Sequence, residues 1–246
     1  MTAQWKGAHP RNFSRGRSGH RPEAIVIHIM DGTLVGTDSW FNDPVSRVSA
    51  HYGVGKTGIV HQYVRETDSA FHAGTIVAPT WRLLKRDVNP NFYTLGIEHE
   101  GFGGRGAAWP EAMLEASLAL VRDLASRWDI PIDADHIVPH RAIRANKPNC
   151  PGIDIADYVE RLAAIAPPPR PAPVETAFAR QVRIVRAVNV RRGPTTAGVA
   201  LRTLLPGDAF TAVAKTVGEE VSGNDIWFRN AGQEYVWAAN TDHPNG

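Results

Sequence analysis

Between Ala166 and Val174 the chain reads Ala-Pro-Pro-Pro-Arg-Pro-Ala-Pro-Val. No helix or sheet ladder runs through such a stretch, because each proline fixes φ and removes an amide donor. It is a semi-rigid spacer, and the fold must be assembled separately on its two sides. We therefore read the 246 residues as a basic arm (1–21), a first domain (22–166), a proline-rich linker (167–175) and a smaller second domain (176–246).

The first domain alternates strand and helix signals. Ala24 to Met30 is an apolar, largely β-branched run with the look of a buried strand, and Tyr93 to Glu98 is a second one. From Pro110 to Ile130 the period changes: Met113, Ala116, Leu120, Leu124 and Trp128 recur at helical spacing. Glu111 and Glu115 lie early and Arg122 and Arg127 late, as the helix dipole favours. A second helix is expected over Ile155 to Ala164. The expectation is an α/β domain with a mixed central β-sheet flanked by helices. Beyond the linker, short β-rich pieces (Val182 to Val190, Ala209 to Val217, Ile226 to Arg229, Tyr235 to Ala238) alternate with Gly- and Pro-containing turns, which reads as a small β-barrel.

Composition narrows the function classes. No stretch approaches the roughly 20 consecutive apolar residues of a membrane-spanning helix, so membrane insertion is not expected. The single cysteine, Cys150, leaves no disulfide within the chain. The segment before Pro22 carries Lys6, Arg11, Arg15, Arg17 and Arg21 and no acidic residue. It is expected to be a solvated arm, and would attract an anionic polymer such as nucleic acid or a teichoic-acid-bearing wall. No signal peptide is recognisable at the N-terminus.

His28 interrupts the apolar run Ala24-Ile-Val-Ile-His-Ile-Met30. An imidazole there needs a hydrogen-bond partner or a ligand, since a buried polar group left unsatisfied costs about 1–3 kcal/mol. Far downstream, His140 and Cys150 bracket a loop ending Lys147-Pro-Asn-Cys150-Pro-Gly. Imidazole and thiolate are zinc ligands, and catalytic zinc takes three protein ligands while leaving a fourth place open. A core histidine with an ordinary hydrogen bond is the alternative for His28, and His136 is a rival to His140.

Several separate motifs together resemble the type 2 family of N-acetylmuramoyl-L-alanine amidases, which also contains phage lysozyme-like amidases and peptidoglycan recognition proteins. They are His28, Trp40-Phe, Ser49-Ala-His-Tyr52, Gly58-Ile-Val, Phe71-His-Ala-Gly74, Asn89-Pro-Asn, Thr94-Leu-Gly-Ile-Glu-His-Glu-Gly101 and His140 to Cys150-Pro-Gly. The resemblance covers about residues 22 to 163. It implies Zn2+ held by His28, His140 and Cys150, with Glu98 shuttling a proton from the metal-bound water to the leaving amine. It further implies Tyr52 beside the metal, Lys147 as the oxyanion group and His72 lining the substrate groove. Lys147 stands three residues before the cysteine, against two in many relatives, and Ile29 stands where many relatives carry a second histidine. His51, His61 and His99 are read as structural.

Asn189-Val-Arg-Arg-Gly-Pro-Thr-Thr, Leu204-Leu-Pro-Gly-Asp208, Trp227-Phe-Arg and Tyr235-Val-Trp237 resemble bacterial SH3-like wall-binding domains. That implies a tether to peptidoglycan, with Trp227 and Trp237 as candidates for stacking on sugars. The combined expectation is a zinc amidase cleaving between N-acetylmuramic acid and L-alanine. It would be a monomer with peptidoglycan as its partner and no nucleic acid, a phage or prophage endolysin made in the host cytoplasm and released to the wall. A bacterial autolysin and a non-catalytic peptidoglycan-binding protein are the alternatives.

Overall fold

The computed structural model describes residues 3–103, 109–164, 175–196 and 200–246. The chain forms two compact units, Met1–Pro168 and Pro169–Gly246. The proline-rich linker lies outside the described residues.

The first unit is built on strands β1 (Gln4–Trp5), β2 (Phe13–Ser14) and β3 (Ala24–Ile29), helix α1 (Leu34–Asn42), strands β4 (Tyr52–Val54), β5 (Val60–Gln62), β6 (Ser69–Ala70) and β7 (Thr94–His99), helix α2 (Glu111–Trp128), strand β8 (Ile137–Pro139) and helix α3 (Ile155–Ala164). Six strands form one mixed sheet in the order β1-β5-β4-β7-β3-β8, and β2 pairs with β6 apart from it. At its centre β4, β7, β3 and β8 run parallel. Both faces of these strands are covered, which is why β3 reads as an almost unbroken apolar run rather than an alternating one.

Alternation along β3 and β7 assigns each side chain to a face. Ile25, Ile27, Leu95 and Ile97 join Met113, Leu120, Val121 and Leu124 of α2 and Tyr158 and Leu162 of α3 in the larger core. Ala24 and Val26 face the other way, towards Ala73, Trp81, Tyr93, Val138 and Ile143. Helix α2 buries Met113, Ala116, Leu120 and Leu124 as anticipated, leaves Trp128 half-buried against the same core, and stops at Asp129, whose left-handed φ of 52° closes the last turn through an N–H bond to the Ala125 carbonyl. Helix α1, which sequence periodicity did not mark, begins at Thr33, whose side chain accepts the Gly36 amide.

Residues 3–21, expected as a solvated arm, instead belong to the folded body. β1 adds a parallel strand against β5 and β2 pairs antiparallel with β6. Arg17 is only 6% exposed. Its guanidinium donates to the carbonyls of Glu66 (2.5 Å), Phe92 (3.1 Å), Thr94 (3.2 Å) and Asn91 (3.3 Å). A charge that looks like part of a basic cluster in one dimension therefore ties together the carbonyls of a loop at Glu66, a turn at Asn91 and Phe92 and the start of β7.

The second unit consists of β9 (Glu175–Arg183), β10 (Val188–Arg191), β11 (Ala200–Leu204), β12 (Ala209–Val221), β13 (Asn224–Arg229) and β14 (Tyr235–Trp237), in the order β11-β10-β14-β13-β12-β9. The expected closed barrel is replaced, among the described residues, by an open antiparallel sheet whose outer strands, β9 and β11, do not pair. Register shifts at Ala212/Ala214, Val217/Val221 and Val190/Arg191 mark bulges, which bend a sheet locally. The bend lets Val182, Val188, Val190, Phe210, Phe228 and Val236 share one core without closing the ladder.

The Arg17 contacts give a stability test. Arg17→Ala should lower unfolding free energy by about 3 kcal/mol, since hydrogen bonds to charged groups are worth about 1.5–3 kcal/mol and the freed carbonyls stay buried. Urea unfolding of the full chain measures it, and a change under about 0.5 kcal/mol, as for a surface position, would restore the solvated-arm reading.

Candidate active site

Parallel pairing of β3 with β7 sets His28 opposite Glu98 in register. Both lie on the face away from α2. His28 is 1% exposed, and its Nδ1 sits 3.9 Å from Glu98 Oε1. β8, on the other side of β3, runs directly into the turn His140–Ala142 and so delivers His140 to the same end of the sheet. The His28 and His140 rings lie 4.4 Å apart between centroids. Cys150 returns to this point from the following loop, its Sγ accepting the Ile29 amide at 3.3 Å. One ligand atom each from His28, His140 and Cys150 lies within 4.8 Å of the others, and all three residues are buried.

These donors suit a metal ion. Zinc bonds of about 2.0–2.3 Å place tetrahedral ligand atoms a few ångströms apart, as found here. Without a cation the site is electrostatically awkward: burial, reinforced by Glu98, pushes the Cys150 thiol up to about 12. Burial, then the charges of His140 and His72, hold His28 well below its usual range. Neutral imidazoles and a thiol that becomes a ligand only on losing its proton are what a cation stabilises.

Glu98 is the neighbouring acid–base group. Burial, aided by Asp31 and opposed by Lys147, raises its carboxyl to about 8. Its Oε2 is buried and has no hydrogen-bond partner among the described residues. Lys147 has an exposed side chain, and its charge is felt at Glu98, His140 and Cys150. The Cys150 amide donates to the Lys147 carbonyl at 3.1 Å, so a tight turn keeps lysine and cysteine together despite the extra residue between them.

Other candidates fall elsewhere. Tyr52 pairs with Ile97 across β4 and β7, which puts it on the α2 face of the sheet, opposite Glu98. Its hydroxyl donates to Glu66 Oε1 at 2.5 Å, and Glu66 also takes Trp128 Nε1 and Arg127. The structure thus does not bring Tyr52 to the cluster. His136 is bound to Asp133 at 2.6 Å and is not among the converging residues. His99 spans the His28 carbonyl (2.9 Å) and Ser117 Oγ (2.7 Å), His61 meets Asp38 (2.8 Å), and His51 accepts the Gly96 amide (3.0 Å).

His72 is 7% exposed and lies behind the cluster rather than along an open groove. Its Nδ1 is 3.0 Å from His28 Nε2 and its Nε2 is 3.1 Å from Thr94 Oγ1. The adjacent Ala73 carbonyl is 3.0 Å from His140 Nε2. Sequence reasoning missed Ala73, Thr94 and Asn91 here; a backbone carbonyl leaves no trace in a motif, although Phe71-His-Ala-Gly74 flagged the segment.

In the second unit Trp227 is 1% exposed and its indole donates to the Glu219 carbonyl at 3.0 Å. It is a core residue whose indole is almost wholly enclosed, although its edge reaches the pocket beside Trp237. Trp237 is half-buried and borders an open pocket of about 160 Å3 together with Asn189, Arg191 and Asn240.

A buried carboxyl beside two imidazoles and a thiol, at the end of a mixed α/β sheet, is an arrangement suited to hydrolysis assisted by a metal. The comparisons narrow that class. The N-acetylmuramoyl-L-alanine amidase family matches residues 18–153. The chain is 35% identical to N-acetylmuramoyl-L-alanine amidase A of Achromobacter lyticus over 147 residues, covering 56% of this chain and 74% of that one. Among solved structures, its fold resembles that of a selenomethionine AmpD derivative, with TM-score 0.52 and 22% identity over 65% of this chain and 93% of the other. It also resembles a point mutant of PlyL, with TM-score 0.51 and 15% identity over 67% of this chain and all of the other. The chain belongs to the N-acetylmuramoyl-L-alanine amidase family, and its activity is that of a peptidoglycan amidase.

The position of Tyr52 is directly testable. Tyr52→Phe should leave amidase turnover within about twofold while lowering stability by about 1 kcal/mol, the usual worth of one hydrogen bond. A loss of turnover beyond about tenfold at unchanged stability would place the hydroxyl in the chemistry after all.

Proposed function

We propose that the chain is a zinc-dependent hydrolase of the amide bond between N-acetylmuramic acid and the L-alanine of the stem peptide. The observation that carries the zinc dependence is the convergence of His28, His140 and Cys150 beside a buried Glu98 oxygen without a partner among the described residues. Zinc, when bound, supplies a Lewis acid for the scissile carbonyl and lowers the pKa of water.

The chain's own groups do the rest. Glu98 takes a proton from the attacking water and returns it to the leaving amine nitrogen, a task suited to a carboxyl raised towards neutrality. Lys147, on the exposed lip of the Cys150 turn, stabilises negative charge developing on the carbonyl oxygen. The second unit is a wall-binding module, and Trp237 with its pocket is its sugar- or peptide-contacting surface. Holding a catalytic unit near an insoluble polymer raises effective concentration, and this layout supports a phage or prophage endolysin. The bacterial origin of the 35% identical relative favours, as the second reading, an autolysin of the same activity.

Digested peptidoglycan should show new L-alanine amino termini by mass spectrometry, and new sugar reducing ends would overturn the bond assignment. A chelator should abolish turbidity clearing and zinc should restore it. Glu98→Gln should cut turnover by about 10²–10⁴-fold, the usual worth of general acid–base catalysis, with the fold intact. Trp237→Ala in the full chain should weaken co-sedimentation with wall fragments while leaving hydrolysis of a soluble muropeptide unchanged; equal loss of both would remove the targeting role.

A further inference from the structure

The hydrogen bonds behind the cluster determine which nitrogen each imidazole can offer. Thr94 Oγ1 donates its only proton to the Pro90 carbonyl at 2.7 Å. Its 3.1 Å contact with His72 Nε2 therefore requires the proton to sit on that nitrogen. No carboxylate touches His72 among the described residues, and the ring is buried, so it is neutral and its Nδ1 is a bare acceptor. His28 Nε2, 3.0 Å away, must then carry a proton and donate it. Among the described residues His140 Nε2 faces only the Ala73 carbonyl, at 3.0 Å, and a carbonyl can only accept. In both rings Nδ1 is left with the free lone pair.

We propose that His72 is a positioning residue, and that the segment Phe71–Gly74 holds His28 and His140 as Nε2–H tautomers so that both bind metal through Nδ1. Two consecutive residues supply the outer partners of both imidazoles, one by side chain and one by backbone. The segment is itself held: the amides of His72 and Ala73 both donate to Asn91 Oδ1, at 3.1 and 2.9 Å. The His72 ring lies against Gly96, where an added Cβ would come within 2.4 Å of its Cγ, so only glycine admits the ring there. Thr94 gives the relay its direction, because a hydroxyl whose proton is already committed can receive but not give. Outer partners of metal-bound histidines act in this way in general, and losing one typically costs about 10–100-fold in metal affinity.

This inference rests on the metal-site reading above, and the experiment separates the two. Zinc affinity of the full chain is measured by competition with a chelating dye, alongside the melting temperature of the metal-free protein. His72→Leu should bind zinc about 10–100-fold more weakly, while His72→Asn, which can place an acceptor oxygen near the position of Nδ1, should recover most of the affinity. Thr94→Val should weaken binding by a smaller factor by letting the His72 tautomer invert. Long-range 1H–15N spectra of the zinc-loaded wild type should show His28 and His140 coordinated through Nδ1 with a proton on Nε2, a readout that stands even if His72→Leu does not fold. Failure of the wild type to bind zinc would sink the metal reading itself. Zinc binding by His72→Leu as tight as wild type, or coordination of His28 through Nε2, would overturn the positioning role alone.

Discussion

The parallel register between β3 and β7 is the constraint on which the site depends. It sets Ile25 against Leu95 and Ile27 against Ile97 on one face, and Val26 against Gly96 and His28 against Glu98 on the other. Side chains alternate strictly across a strand, so a slip of one residue would carry His28 into the α2 core and an isoleucine into the cluster. The apolar partners make that slip costly, because each of these isoleucines is completely buried and exposing one forfeits about 1.5–3 kcal/mol. The register that protects the core thus also fixes the separation of the imidazole and the carboxyl.

What was legible in the sequence follows from the same geometry. His28 stood out because an imidazole in a β-branched run is anomalous under any register, and Glu98 because a carboxylate ends a run as apolar as Leu95-Gly-Ile. The helical stripe of α2 survived into the structure since five apolar positions agreed on one period. Arg17 and Tyr52 went the other way. Arg17 looked solvated because its partners are carbonyls at 66, 91, 92 and 94, which no local pattern displays. Tyr52 closes a motif that does reach the site region, but a three-residue strand gives too little alternation to say which face its side chain takes.

In the second unit the turn signals marked the strand boundaries well, yet closure into a barrel is a property of how the two outermost strands meet, and short-range patterns do not encode it. The bulges that curve the sheet fall at Ala212/Ala214 and Val190/Arg191, positions with nothing unusual in composition. Trp227 illustrates the same limit. An indole with a backbone partner for its N–H is as comfortable in a core as on a surface, and only the packing against Gly218, where a Cβ would lie 2.6 Å from Trp227 Cδ1, shows which of the two applies.

Charge gives the site its internal logic. Within a few ångströms the chain gathers a carboxyl, a thiol and three imidazoles, and the one nearby cation whose charge is felt at the carboxyl among the described residues, Lys147, is exposed and offset by Asp31. Left alone, such a group minimises charge: the thiol and the carboxyl hold their protons and the imidazoles do without theirs. A divalent cation reverses each of those preferences at once, since it favours the thiolate and the carboxylate and occupies the bare imidazole nitrogens. The outer hydrogen bonds at Ala73 and His72 are compatible with the proposed zinc, because they engage the ring nitrogens that face away from it. On the zinc reading proposed above, the imidazoles owe their orientation to the segment Phe71–Gly74 rather than to the ligands themselves.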